Sequence, residues 1–250
     1  ADSCYFMAHS NAPAPQGWGE YLKISLPSAA MVCFEWWAFE IVILLGGYLK
    51  NPDVSVATMG IAFNTIAVVF MVPLGISQAA AVRTSNALGA GEAAQAQLAA
   101  RVSMQAALLS AMTFCTSLLL LRHVWGGVFT SDPEVIESTG RVMWVVAFCV
   151  LFDGLNAVAG GVIRGCGNQH LGGAIMMIHY LVGLPLSCLF AFKLDLGVVG
   201  LWFGLTIAVT IEAVGLMWVI EWTDWREEAA KAKERMDANS SGEGTPAPGG

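Results

Sequence analysis

Carboxyl side chains stand inside two long stretches of this sequence that are otherwise free of charge. Glu35 and Glu40 are the only charged residues from 27 to 49, and Asp153 is the only one from 142 to 163. A charged side chain at the centre of a bilayer costs at least about 2.5 kcal/mol, so such residues usually face a cavity, a partner or a transported ion. Burial favours the neutral carboxyl, whereas water or a nearby cation favours the carboxylate. A site that alternates between these surroundings loads and unloads a proton, which predicts Glu35 and Asp153 as cation-coupling residues.

The spacing of Glu35 and Glu40 separates the two side chains around a helix. Five residues at about 100° each place them roughly 140° apart, so they do not form a side-by-side pair. Glu35 lies deeper in the apolar run, which favours Glu35 as the coupling residue. Glu40 fits either a supporting polar residue or a hydrogen-bonded packing carboxyl nearer the interface.

Asp153 begins a stripe of polar and small residues. Asn156 lies three residues further on and Gly160 seven, so all three share one face of a helix. Such a stripe lines either a tight helix contact or a water-accessible path. Three more polar residues within apolar runs are predicted to support the site: Asn64, His179 and Glu212. The sequence offers no partner for Glu212, and His179 also fits a hydrogen-bonded packing residue.

Signatures of enzymes and of bound metal ions are absent from the sequence. The six cysteines form no Cys-x-x-Cys pair and no Cys/His metal spacing, and neither Gly-x-Ser-x-Gly nor His-Glu-x-x-His occurs. The segments GAGEAA and RGCGNQ are not phosphate loops, because no strand precedes them and no Gly-Lys-Ser/Thr follows. No catalytic residue, metal site or cofactor is therefore predicted.

The composition is typical of a membrane protein. Hydrophobic residues make up 56% of the 250 residues and charged residues only 12%, about half the charged share of a soluble domain. The formal net charge is −7, and Lys and Arg cluster only near the C-terminus. This distribution argues against nucleic acid as a partner, because nucleic-acid-binding proteins carry a basic patch or stripe.

Six apolar runs are long enough to cross a bilayer core of about 30 Å as helices. They cover residues 22–49, 56–82, 96–121, 142–163, 171–192 and 198–222. Runs of this length do not fit the strands of a membrane barrel, which alternate over about ten residues. The sequence therefore predicts an all-α membrane bundle, with polar loops at 82–102 and 160–173.

The basic residues predict how the bundle is oriented. One set of connections and ends is richer in Lys and Arg than the other, which predicts that both ends of the six-span unit are cytoplasmic. Residues 1–18 are predicted as a polar lead-in, 19–225 as the six-span unit and 226–250 as a charged helix with a disordered tail. Low sequence complexity gives that tail no means of burying a core.

Four motifs in order resemble plant-type transporters of the multidrug and toxic compound extrusion (MATE) family. They are PSAAMVCFEWWAFEIVILLGGYL, VRTSNALGAG, FDGLNAVAGGVIRGCGNQ and YLVGLPLS, within a match from about Trp18 to Arg235. The combination of Glu-Trp-Trp, Arg-x-Ser-Asn-x-Leu-Gly-Ala-Gly and Arg-Gly-x-Gly-x-Gln is specific to that family. Two departures are Glu212, where the family usually has an amide, and Val-Arg-Thr at 82–84 in place of Thr-Arg-Val.

The resemblance implies one lobe of a twelve-helix antiporter. Such proteins exchange organic solutes, often xenobiotics or secondary metabolites, for protons or sodium, and plant-type members favour protons. This chain resembles the C-terminal lobe, in which the acids matching Glu35 and Asp153 are implicated in cation coupling. The resemblance also implies a location in the plasma membrane or the vacuolar membrane. The N-terminal six-span lobe is expected to be missing from this sequence.

Other functions remain open at this stage. A membrane scaffold or a lipid flippase with a related helical layout is the main alternative to a solute antiporter. An intramembrane enzyme is disfavoured, because it needs a nucleophile with a base, a metal set or an acid pair.

Overall fold

The computed structural model describes Cys33 and residues 36–242, and all the regular secondary structure in this part of the chain is helical. This confirms the predicted all-α membrane bundle. In chain order the α-helices are α1 (Trp36–Gly46), α2 (Pro52–Gly89), α3 (Ala93–Leu121), α4 (Pro133–Gly165), α5 (Gln169–Met176), α6 (Leu184–Cys188), α7 (Gly197–Glu221) and α8 (Trp225–Gly242). A 3-10 turn, Trp125–Val128, precedes α4.

Four of these helices, α2, α3, α4 and α7, are long and apolar enough to cross a membrane. The shortest of them, α7, has 25 residues. At about 1.5 Å per residue it covers roughly 37 Å, more than the core of a bilayer. Two shorter apolar segments, Trp36–Gly46 and Tyr180–Lys193, correspond to the first and fifth predicted spans. Residues 22–32, 34 and 35 of the first predicted span lie outside the described residues.

Helix α4 is the central helix of the bundle, with α2, α3 and α7 packed around it. In its most apolar 18-residue window 72% of the residues are buried, against 22% in α3. Its side chains Met143, Val146 and Cys149 share one core with Met59 of α2 and Trp202 of α7. The polar side chains Asp153 and Asn156 in this buried part of α4 are therefore held between other helices instead of facing lipid.

Small residues bring α7 into backbone contact with the fifth span. Gly200, Gly204 and Ala208 repeat every four residues, which places them on one face of the helix. A Cβ on Gly204 would lie 2.2 Å from the backbone nitrogen of Ser187, which is closer than atoms approach. The Ser187 hydroxyl donates a hydrogen bond to the Leu201 carbonyl over 2.8 Å, so the contact is also polar.

Helix α8 docks on the end of the bundle where α2 turns into α3. Trp225 and Ala229 are buried there against Leu88, Ala96 and Ala100. On its exposed side Lys231 bonds to Glu227 and Glu228, over 2.9 and 3.1 Å, and these two carboxylates raise the pKa of Lys231. The helix continues to Gly242, six residues into the segment expected to be a tail.

The predicted polar loops are wrong, because both segments are mostly helical. Helix α2 continues to Gly89 and α3 begins at Ala93, leaving a turn in which Gly91 has a φ of +77°. The Ala, Leu and Gln residues of this stretch have high helix propensity, which outweighs its polarity. The second segment likewise has a short turn around Gly167, whose φ is +79°. Glycine tolerates this left-handed conformation, so each turn is tight.

The fifth predicted span, 171–192, is an interrupted helix, and its Gly and Pro residues predict such a kink. Helix α5 ends at Met176, and π-helical turns at His179–Gly183 and Leu189–Lys193 flank α6. Pro185 follows the first of these turns. Its ring lacks an N–H and would clash with the carbonyl four residues earlier in a regular helix, so the wide turn accommodates it.

Two glycines of α7 test the packing against the fifth span. Replacing Gly204 with Ala forces a Cβ into the Ser187 backbone, and we expect a loss of about 1–3 kcal/mol of stability from overpacking. Among the described residues, and apart from the adjacent backbone of its own helix, no atom lies within 4 Å of the Cβ position of Gly215. Gly215→Ala should keep or raise stability, because Ala has the higher helix propensity. Thermal unfolding of the detergent-solubilised protein measures both, and equal shifts for the two variants would contradict the close contact.

Candidate functional site

Asp153 lies at the centre of the bundle, beside a small cavity walled by aromatic rings. Its side chain is on α4 and only 4% of the residue is exposed. The other described residues that line the cavity come from α1 and α2: Trp36, Phe39, Phe63, Ile66, Ala67 and Phe70. The cavity volume is about 20 Å³, enough for one water molecule. Drug-sized ligands need about 300 Å³ or more, so this space fits water or a proton carrier instead of a solute.

Packing of the aromatic rings fixes the shape of this cavity. The Trp36 ring meets Phe63 and Phe70 edge to face, with centroids 5.9 and 6.4 Å apart, and Phe39 lies 6.3 Å from Phe63. Edge-to-face pairs at these separations are stabilising beyond their buried area. Because α1 and α2 carry the rings and α4 carries Asp153, the cavity depends on how three helices pack.

A second buried carboxyl lies close to this stripe on the α7 side. Glu212 is fully buried, and its Oε2 accepts a hydrogen bond from Asn156 Nδ2 over 3.0 Å. Asn156 is itself 4% exposed. The structure therefore supplies the partner for Glu212 that sequence reasoning lacked. The two residues are 56 positions apart, so only the packing of α4 on α7 brings them together.

Close contact between α2 and α4 continues the polar stripe towards the α2–α3 turn. The Ser77 hydroxyl donates to the Ala157 carbonyl over 2.6 Å, and the Arg164 guanidinium donates to Ser77 Oγ over 2.9 Å. A Cβ on Gly161 would lie 2.4 Å from the Ser77 carbonyl oxygen. Sequence reasoning missed Ser77 and placed Arg164 within the predicted polar loop 160–173.

A signal for Arg164 was present in the spacing. It lies eleven residues after Asp153, about three helical turns, and so shares the face that carries Asp153, Asn156 and Gly160. A Cβ on Gly160 would meet only the Arg164 guanidinium within 4 Å among the described residues. The stripe thus combines a polar helix contact at Asn156 with a position at Gly160 whose one close neighbour, among the described residues, is the end of a flexible side chain.

The remaining predicted residues lie apart from the cavity or outside the described part of the chain. Glu40 is exposed on α1, and Asn64 is exposed on α2 with its Nδ2 donating to the Gly60 carbonyl over 2.9 Å. The His179 backbone opens the first π-helical turn of the fifth span. Glu35 lies outside the described residues, so its place in a shared cavity stays a prediction.

An ion pair closes the opposite end of the bundle. Lys50, after α1, pairs with Asp195, just before α7. Both side chains are largely exposed, and such pairs contribute at most about 1 kcal/mol. Within the described part of the chain, no group of three or more His, Cys, Asp or Glu side chains is placed to hold a metal ion.

Comparison with known proteins bears on this arrangement of spans and buried acids. The MatE family model matches residues 27–189. This chain belongs to the MatE family. Protein DETOXIFICATION 10 from Arabidopsis thaliana is 38% identical over 239 residues, which are 93% of this chain and 49% of that protein. Multidrug and toxin extrusion protein 1 from Mus musculus is 36% identical over an alignment that covers 87% of this chain and 38% of the mouse protein.

The MatE fold is also that of solved structures. The crystal structure of the eukaryotic MATE transporter AtDTX14 superimposes with a TM-score of 0.82 at 34% identity, over 88% of this chain and 49% of that one. The resemblance noted in the sequence motifs is therefore confirmed. The MatE chain spans about half the length of the curated relatives it matches.

Neighbouring glycines of α4 test the contact with α2. Gly161→Ala places a Cβ against the Ser77 backbone, and we expect a loss of about 1–3 kcal/mol. Gly160→Ala meets only the movable end of the Arg164 side chain, at 3.3 Å, so its stability should stay near that of the wild type. Unfolding midpoints of the two variants in detergent decide the point. A Gly160→Ala variant as unstable as Gly161→Ala would show that the contact is not specific.

Proposed function

We propose that this chain is one half of a secondary antiporter that exports organic solutes in exchange for protons. Asp153 is the coupling carboxyl in this proposal, and Glu35 is its predicted companion. The observation that carries the proposal is a carboxyl 4% exposed on the central helix, beside a cavity with room for one water. An acid held at this depth is costly unless it takes part in ion or proton movement.

The surroundings of Asp153 favour proton exchange. Aromatic and aliphatic side chains make up the rest of the described cavity wall, which favours a neutral carboxyl when the cavity is dry. Water entering the cavity solvates the charged form and allows the proton to leave. A transporter that opens this cavity to one side at a time therefore moves a proton across the membrane.

Sodium is the less favoured coupling ion. A hard cation takes several oxygen ligands from carboxylates, carbonyls or water. Among the described residues lining the cavity, Asp153 alone has a side-chain oxygen. A proton needs only one carboxylate oxygen, so the chemistry of this wall suits it better.

The solute site is expected between this lobe and a second one. Alternating access in transporters of this kind rocks two halves around a site near the bilayer midplane, and one lobe provides only one wall. The cavity at Asp153 is too small to hold a drug-sized molecule. We therefore propose that this half pairs with a six-span N-terminal lobe and that organic solutes are the cargo. The proposed location is the plasma membrane or the vacuolar membrane, with both ends of this half cytoplasmic.

Transport by an Asp153→Asn variant tests the proposal. The full-length transporter that contains this half is reconstituted in liposomes, and uptake of the probe cation tetraphenylphosphonium is driven by a pH gradient. We expect the variant to lose at least about tenfold in driven rate, the lower range for losing a proton-transferring group. Asn has nearly the same size, so the fold should persist.

Asp195→Asn is the matched control for this experiment. Asp195 is an exposed acid with a φ of +56°, a conformation that Asn tolerates as well as Asp. Its driven rate should equal that of the wild type. Unchanged transport by Asp153→Asn would refute the coupling role of Asp153. Transport driven by a sodium gradient alone would refute the proton as the coupling ion. A full-length wild-type protein that moves no probe would favour a membrane scaffold.

A further inference from the structure

Glu212 is the buried acid that the proposed coupling reaction does not use. Glu212 is 0% exposed. It lies on α7, a helix long and apolar enough to cross a membrane, which carries no other Asp, Glu, Lys or Arg before Glu221. A carboxyl in this position is a poor choice for packing alone, since an uncharged amide of the same shape makes the same hydrogen bond without the risk of burying a charge. Its presence calls for a use of the ionisable group.

The position of Glu212 relative to Asp153 is set by Asn156. The amide of Asn156 donates to Glu212 Oε2 over 3.0 Å. Asn156 follows Asp153 by three residues on α4, which is about 4.5 Å along the helix axis. The two acids therefore approach the same stripe of α4, one on the helix itself and one from α7.

The stripe continues from this pair towards the α2–α3 turn. Gly160 comes one turn after Asn156 and leaves space at its Cβ position that only the Arg164 guanidinium reaches among the described residues. Arg164 is half-buried and bonded to Ser77 at the same end of α4. Polar groups thus follow one face of α4 from Asp153 past Asn156, which holds Glu212, to Arg164 at the end of the bundle.

The elements packed on α7 bring few other titratable groups near Glu212. Helix α4 contributes Asp153, Cys149 and Arg164, and Cys149 lies within hydrogen-bonding reach of Thr206 on α7 itself. The fifth span contributes Tyr180, and the His179 backbone lies in the same π-helical turn. The part of α2 that reaches this depth carries hydroxyl and apolar side chains but no charged group.

We propose that Glu212 is a second proton-carrying carboxyl of this lobe, placed in series with Asp153 by Asn156. This inference rests on the proposed function, because it extends the route of the exchanged proton. A proton leaves an Asp153 oxygen and is taken up through water by a Glu212 carboxylate oxygen, and Glu212 then releases it to water on the Arg164 side. Each transfer breaks one O–H bond and forms another. Passage from Asp153 to Glu212 leaves the total charge of the pair unchanged, and release to water makes the pair one unit more negative until Asp153 takes up the next proton.

Asn156 is a positioning residue in this scheme. Its N–H bond holds the Glu212 carboxyl against α4 in either protonation state. Two carboxyls placed this way share the cost of burial, because one carries the proton while the other is charged, and they titrate as a coupled pair. A Gln at 212 keeps the acceptor for Asn156 and removes only the exchangeable proton.

Infrared spectroscopy and transport together test the role of Glu212. Spectra of the reconstituted full-length protein, without solute, are recorded across a pH titration in light and heavy water to follow the carbonyl bands of protonated carboxyls. We expect Glu212→Gln to remove one buried titrating band. Glu221→Gln, which changes an exposed acid on the same helix, should leave every buried titrating band unchanged.

Transport gives the second arm of the experiment. With tetraphenylphosphonium as the probe, the pH-gradient-driven rate of Glu212→Gln should fall at least about tenfold and its pH profile should change. The rate of Glu221→Gln should stay at the wild-type value. A further variant, Glu212→Asp, retains an ionisable group and should recover part of the driven rate, with an unfolding midpoint near that of Glu212→Gln.

The outcomes separate this inference from the proposed function. A Glu212→Gln spectrum that keeps every buried titrating band would show that Glu212 exchanges no proton, which overturns the inference. A Glu212→Gln variant with the wild-type transport rate and pH profile would also overturn it. Retained transport by Asp153→Asn overturns the proposed function, and the infrared band still decides whether Glu212 exchanges a proton. Equal rates for Glu212→Asp and Glu212→Gln at equal stability also overturn the inference.

Discussion

Backbone contact through small residues holds the central helix in place. Gly161 of α4 lies so close to Ser77 of α2 that a single added carbon would overlap its carbonyl, and Gly204 of α7 meets Ser187 in the same way. In lipid the hydrophobic effect gives little drive for helices to associate, so such contacts and interhelical hydrogen bonds set the packing. The positions of Asp153 and Asn156 within the bundle follow from the packing of α4 on its neighbours.

The polar groups of the bundle are arranged as a consequence of that packing. Ser77 bonds to the α4 backbone on one side, and Asn156 bonds to Glu212 on the other. Buried polar groups are costly unless they are hydrogen-bonded, so these bonds allow acids and amides to persist at depth. Asp153 lies about one helical turn before both contacts, beside a cavity with room for one water molecule.

Much of this architecture was predictable because lipid imposes simple rules on sequence. Long apolar runs gave the spans, and an acid inside one of them marked Asp153 as a candidate. The pairing of Asn156 with Glu212 was not predictable, since helix spacing describes one helix and says nothing about which neighbour packs on it. The polar loops were wrong because polarity was weighed above the helix propensity of Ala, Leu and Gln. Pro185 interrupts the fifth span, although hydropathy shows a single apolar run there.

The docking of α8 makes the rigid part of this lobe taller than the membrane. Helix α2 has 38 residues, about 57 Å at 1.5 Å each, which exceeds the 40–45 Å of a whole bilayer with its head groups. Its far end is clamped to α8 through Leu88 and Trp225. In a lobe built in this way, α8 lies outside the lipid and is packed against the end of a helix that crosses it. A spectroscopic label on the exposed face of α8 would therefore report tilting of the intramembrane helices without disturbing their packing.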